Sequence, residues 1–238
     1  MSPTRNPGRV AGFWFALLIL LGPLRLIVIP QMLFVHDNAA ATANNIAAHK
    51  LLFSFGILAD LIGGVFLVLL VLAFYRLFQG VDQHLAVQVA IFGGVMPGVL
   101  LLLNAVTDLA ALMVVRDADF LSVFDKPQRD ALVMLFLRLH GQQITAAEIL
   151  WGVWLFPLAI LVYRSRFLPR FLGVWLILDG IGWVASCFIG IVSPQYQDLM
   201  FKLSQPAAFA EIALMLWLLI RGANPPVPVP AASSSAVA

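Results

Sequence analysis

Six long apolar runs divide the chain, each bounded by charged or turn-forming residues: Gly12 to Phe34, Leu52 to Leu77, Leu85 to Val115, Ala131 to Tyr163, Phe171 to Val192 and Phe201 to Ile220. Each reaches the roughly 20 residues that a helix needs to cross a bilayer core. The runs are continuous rather than alternating, which predicts helices and not barrel strands. The fourth, at 33 residues, would be about 50 Å long as one helix, so its outer part is expected to rise above the hydrocarbon or to break near Gly141. Pro23, Pro97 and Pro157 are expected to kink their helices. Gly94 and Gly98 form a GxxxG pair, and Gly182, Ser186 and Gly190 a ladder of small residues. Both read as contacts between helices of one monomer. No internal repeat is visible, so nothing points directly to an inverted-repeat transporter.

The pattern predicts an all-α polytopic membrane protein, a bundle of six transmembrane helices. Residues 1–222 form its single domain, and 223–238 a disordered tail of Pro, Ala and Ser without charge. The first run is too long for a signal-peptide core and has no small-residue cleavage site soon after it, so it reads as a retained helix.

Composition sharpens this picture. Of 238 residues 62% are hydrophobic and 11% charged, against about 25% charged in a soluble domain; a soluble enzyme is excluded. The single cysteine, Cys187, rules out an intrachain disulfide and CxxC chemistry. A net charge of +2 is too small for nucleic-acid binding. Arg5, Arg9, Arg76, Arg164, Arg166, Arg170 and Arg221 fall on the side that carries both termini, opposed there by the acid Asp82. Basic loops stay inside, so both termini are expected in the cytoplasm.

With Arg76 and Lys202 at the ends of their runs set aside, seven charges remain within: Arg25 and Arg138, against Asp60, Asp108, Glu148, Asp179 and Glu211. Each costs roughly 2.5–3.5 kcal/mol at a helix centre and by default faces the bundle interior. Arg25, Asp60, Asn104 and Asp108 lie in the outer halves of their helices, and Asn104 and Asp108, four apart, share a face. Arg138 and His140 fall near the outer boundary, Glu148 somewhat deeper, Asp179 and Glu211 nearer the midplane. A polar cavity open to the outer face, or just below it, follows. Two arginines against five acids leave a deficit that protons, a cation, a metal or an amine ligand must make good.

The ligand-binding candidates are therefore Arg25, Asp60, Asn104, Asp108, Arg138, His140 and Glu148. The arginines would hold an anionic group or balance the acids; Asp60 and Asp108 would accept hydrogen bonds or bind a cation. Against this stands the plainer reading that Arg25 pairs with Asp60 or Asp108 only to fix helix register. No GxSxG, HExxH or GxxxxGK[ST] motif is present, nothing identifies a cofactor, and a three-histidine zinc site lacks the histidines. A mixed metal site of His140 with Asp60, Asp108 or Glu148 stays open. The leading reading is a membrane protein that binds a small ligand, lipid headgroup or ion in its outer leaflet. Its rivals are a membrane hydrolase or lipid-modifying enzyme using His140 and a carboxylate, a transporter using Asp179 and Glu211, and a structural or regulatory subunit.

Three stretches carry a resemblance: GRVAGFWFALLILLGPLRLIVIP (Gly8 to Pro30), TANNIAAHKLLFSFGILADLIGG (Thr42 to Gly64) and LHGQQITAAEILWGVWLFPLAILVYRSRFLPRFLG (Leu139 to Gly173). They resemble the bacterial membrane proteins grouped as the domain of unknown function 4386 family, with the RSRFLPRFLG turn the most specific part. The resemblance covers the chain apart from its tail. It implies one multi-pass domain in a bacterial plasma membrane, and it brings no catalytic residues with it.

Overall fold

A chain in lipid must satisfy its backbone hydrogen bonds within its own segments, and this chain does so with helices throughout. The computed structural model describes residues 6–116 and 118–224, and no strand occurs among them. Six helical spans are long and apolar enough to cross a membrane: Pro7–Leu33, Lys50–Phe78, Gln83–Val115, Lys126–Arg164, Arg170–Val192 and Pro194–Ile220. Each contains most or all of the apolar run that predicts it and extends it by a few residues into polar caps. Asp125 and Gln128 form a reciprocal capping box that starts the fourth span, and Asp82 accepts from the Leu85 N–H to start the third.

Each span packs on the next in chain order, and the sixth closes against the first. The result is a ring of six helices around a central axis. Its tightest seams are made by glycine. A Cβ on Gly12 would stand 2.7 Å from the Leu219 nitrogen, and one on Gly152 would stand 2.5 Å from the Gly180 carbonyl. The anticipated small-residue pairs also face neighbouring helices, Gly94 against Val71 and Gly182 against Ser204.

Proline sets the irregularities. Pro30 has no N–H for the Leu26 carbonyl, and Pro97 none for that of Gly93. Both losses fall within π-helical turns, Leu24–Val28 and Ile91–Val95. The fourth span breaks at Trp154, just before Pro157. It passes through Gly141 as continuous helix, so of the two alternatives expected for this long run the break does not occur: Gly141 meets no neighbour. The protruding part of this span is covered by a further helix, Ala39–Ala48, which begins at an Asn38 cap and packs on it.

The core is split in two. At the end where both described chain ends lie (the near end), one large apolar cluster gathers Phe15, Phe74, Phe78, Trp154, Leu158, Leu172 and Leu214. At the opposite, far end a smaller one gathers Ile29, Leu33, Ile46, Phe53, Ile57, Leu112 and Val133. Ala223, assigned by sequence to the tail, is buried, and its N–H donates to Asn6 Oδ1 while its carbonyl accepts from Gly8. Residues 225–238 of that tail lie outside the described residues.

Candidate functional site

Between the two apolar clusters lies a layer of charge. Arg25 sits in the π-helical turn of the first span and is 7% exposed. Its Nε donates to Asp60 Oδ2 of the second span at 2.7 Å, and its Nη2 to Asp108 Oδ2 of the third. The same Nη2 lies 3.1 and 3.2 Å from the two ring nitrogens of His140 in the fourth span. His140 Nδ1 in turn stands 3.2 Å from Asp108 Oδ1. Four helices thus place one arginine, two aspartates and one histidine in direct contact. π-helical turns recur at functional sites, and this one carries the arginine at the centre of the network.

The remaining candidates are placed differently. Asn104 is buried one turn from Asp108, and its side-chain oxygen has no hydrogen-bond partner. Glu148 interacts with Cys187 of the fifth span, and its Oε2 is likewise unpartnered. Arg138 is not brought to the cluster at all: 58% exposed, it donates to Asp37 at 2.6 Å on the far-end surface. It is two positions from His140 in the chain, so the two side chains point to different sides of one helix.

One ligand atom each from Asp60, Asp108 and His140 lies within 4.8 Å of the others, close enough to share a metal ion. Glu148 does not belong to that group. The Arg25 guanidinium touches all three and already supplies positive charge there, so an ion could bind only by displacing it.

The far side of the layer is covered by Ile29, Leu33, Phe53 and Ile57 with Ala39–Ala48 beyond them. The open volume lies on the other side, toward the middle of the bundle. A cavity of about 290 Å³ is lined from all six spans, among others by Phe15 and Gly22, Gly63 and Leu67, Pro97 and Leu101, Ile144 and Trp151, Trp183, and Glu211. Its charged lining residues are Arg25, Asp60 and Glu211. Glycine makes room: a Cβ on Gly22 or Gly63 would meet nothing within 4 Å. Leu26 of the lining is 53% exposed, so one wall is also the lipid-facing surface of the first span. Packing of that span on the sixth is carried by its Pro7–Pro23 part, while the following turns lie on the second span and the connecting helix.

With this geometry in view, the comparison with known families is decisive on one point. The model of the domain of unknown function DUF4386 matches residues 10–222. The chain belongs to the DUF4386 family. No curated protein and no solved structure matches it. For this DUF4386 member the chemistry must be read from its own residues. Sequence reasoning named four that meet, Arg25, Asp60, Asp108 and His140. It left Glu211 out of the site, and it missed Trp151 and Trp183. The signal for those three was available in part: a carboxylate near the midplane of one run, and tryptophans in the middle of two others.

Proposed function

We propose that this DUF4386 protein is a membrane-embedded binding protein for an amphipathic small molecule. The polar group of the ligand would engage the Arg25–Asp60–Asp108–His140 cluster, and its apolar part would fill the central cavity. One observation carries the reading: a buried charged cluster forms one wall of an otherwise largely apolar cavity lined by all six spans. Pockets with apolar walls and a few convergent polar groups are the usual form of small-molecule sites. The apolar cluster filling the near half favours binding over passage to the other face. The basic residues at the near end, Arg164 and Arg170 among them, support a cytoplasmic near end in a bacterial plasma membrane under the positive-inside rule. The site then belongs to the outer leaflet.

The test is native mass spectrometry of the protein purified in nanodiscs, with thermal unfolding before and after any retained molecule is added back. Arg25→Ala and Asp60→Ala should each abolish the ligand-induced stabilisation. Undiminished stabilisation in both would refute the assignment. A membrane hydrolase is favoured by a separate observation, the 3.2 Å approach of His140 to Asp108, which is the arrangement that orients a histidine general base. Turnover of the retained molecule, lost in His140→Gln while binding persists, would establish it.

A further inference from the structure

The cavity has a second charged end, and its chemistry differs from the first. Of the two arginines away from the ends of the apolar runs, Arg25 is committed to Asp60 and Asp108, and Arg138 to Asp37 at the surface. Even with a proton on His140, the far-end cluster only balances itself. Glu148, Asp179 and Glu211 are left without a basic partner among the described contacts. Asp179 is 1% exposed, with Oδ2 unpartnered. It lies near Glu211 of the sixth span, close enough for the two carboxyls to influence each other. The Trp183 indole nitrogen is buried without a hydrogen-bond partner and lines the same cavity as Glu211.

Glu211 is the member of this acid group that lines the cavity, and it does so beside Trp151, Trp154 and Trp183. The rings of Trp151 and Trp183 meet edge to face, centroids 5.2 Å apart and planes at 86°. One of them therefore turns its face across the other's edge. A tryptophan face is the best aromatic surface for a cation, and aromatic walls are the known way to hold quaternary ammonium groups. A carboxyl without a counter-charge, aromatic walls and an apolar interior together select for one ligand class.

We propose that the cavity takes a lipophilic cation, an amine or quaternary ammonium on an apolar body, with Glu211 as its counter-charge and Trp151 and Trp183 as its aromatic wall. This rests on the cavity reading above and adds a cationic group to the ligand, held at Glu211 and apart from the group that meets the Arg25 cluster. A positive guest supplies the charge that the spans lack, and Asp179 reinforces Glu211 from behind. The phenyl or alkyl part of such a guest fits against Leu67 and Leu101.

Phenyltrimethylammonium and its neutral carbon isostere, tert-butylbenzene, have the same shape and differ in charge. Titration of each into the full-length protein in nanodiscs, followed by tryptophan fluorescence and by melting temperature, reads the discrimination directly in the wild-type chain. The cation should bind saturably and at least about tenfold more tightly than the isostere, as expected for one desolvated cation–aromatic contact with a carboxylate behind it. Glu211→Gln should weaken the cation by a similar factor and leave the isostere unchanged. Trp183→Leu provides a second variant should Glu211→Gln fail to fold, and should narrow the same ratio. Equal binding of the two compounds, insensitive to either substitution, overturns the cation proposal and leaves the cavity reading standing: protons on Asp179 and Glu211 then supply the balance. Absence of saturable binding by either compound overturns both.

Discussion

Replacing Arg25 by methionine keeps most of the side-chain volume and removes the guanidinium. The consequence follows from the contacts: Asp60, 7% exposed, loses its 2.7 Å partner, and the fully buried Asp108 keeps only His140. Removing one member of a buried ion pair typically costs about 3–5 kcal/mol, because the remaining charge stays buried without compensation. Asp60→Asn alone should be milder, about 1–3 kcal/mol, since Arg25 retains Asp108 and the amide can still accept a hydrogen bond. The double variant Arg25→Met/Asp60→Asn removes the orphaned carboxylate. It should therefore be less destabilised than the sum of the singles by about 2 kcal/mol, within the usual range of coupling energies for contacting residues. Equilibrium unfolding by dodecyl sulfate in mixed micelles, read by tryptophan fluorescence, measures all four corners of this cycle. Additivity within about 0.5 kcal/mol would refute the reasoning: the charges would then be solvated independently, and the cluster would not be an energetic unit.

Two further outcomes separate space from contact and site from surface. Gly63→Ala should be neutral or stabilising by up to about 1 kcal/mol, as glycine weakens a helix interior and the new methyl group enters open cavity; Gly94→Ala drives a methyl group into Val71 and should lower stability by about 1–3 kcal/mol, so equal melting temperatures for the two variants would contradict the packing described. Arg138→Ala loses an exposed pair with Asp37 and should cost no more than about 1 kcal/mol; a loss of ligand stabilisation as large as that of Arg25→Ala would return Arg138 to the site.

The spans were legible because lipid leaves the backbone few options. A run such as Leu52 to Leu77 can only be a helix there, and the structure extends it to Lys50–Phe78. The residues of the site were legible for a related reason, since a charge inside an apolar run is costly enough to demand a partner. Which charge meets which was another matter. Arg25 and Arg138 look equivalent in sequence, yet one is at the heart of the network and the other pairs at the surface. Helices with apolar residues on every face give no periodicity from which to read the inward direction. The π-helical turn at Leu24–Val28 rotates the face further, and its position depends on how Pro30 is accommodated. The aromatic wall escaped notice for the same reason. Trp151 and Trp183 lie in different runs, and only the packing of the fourth span on the fifth brings their rings together.

Closure of the ring has a consequence for how the molecule is assembled. Among the described spans, the seam at Gly12 and Leu219 joins the first to the sixth, while the other seams join neighbours in the chain. Contacts distant in sequence form late, and a chain emerges from its N-terminus onward. Until the sixth span is in place, the first therefore packs beside the second with its other flank uncovered. The central chamber has no sixth wall until Pro194–Ile220 arrives. The central chamber is thus completed only by the contact that closes the ring, when the sixth span packs on the first.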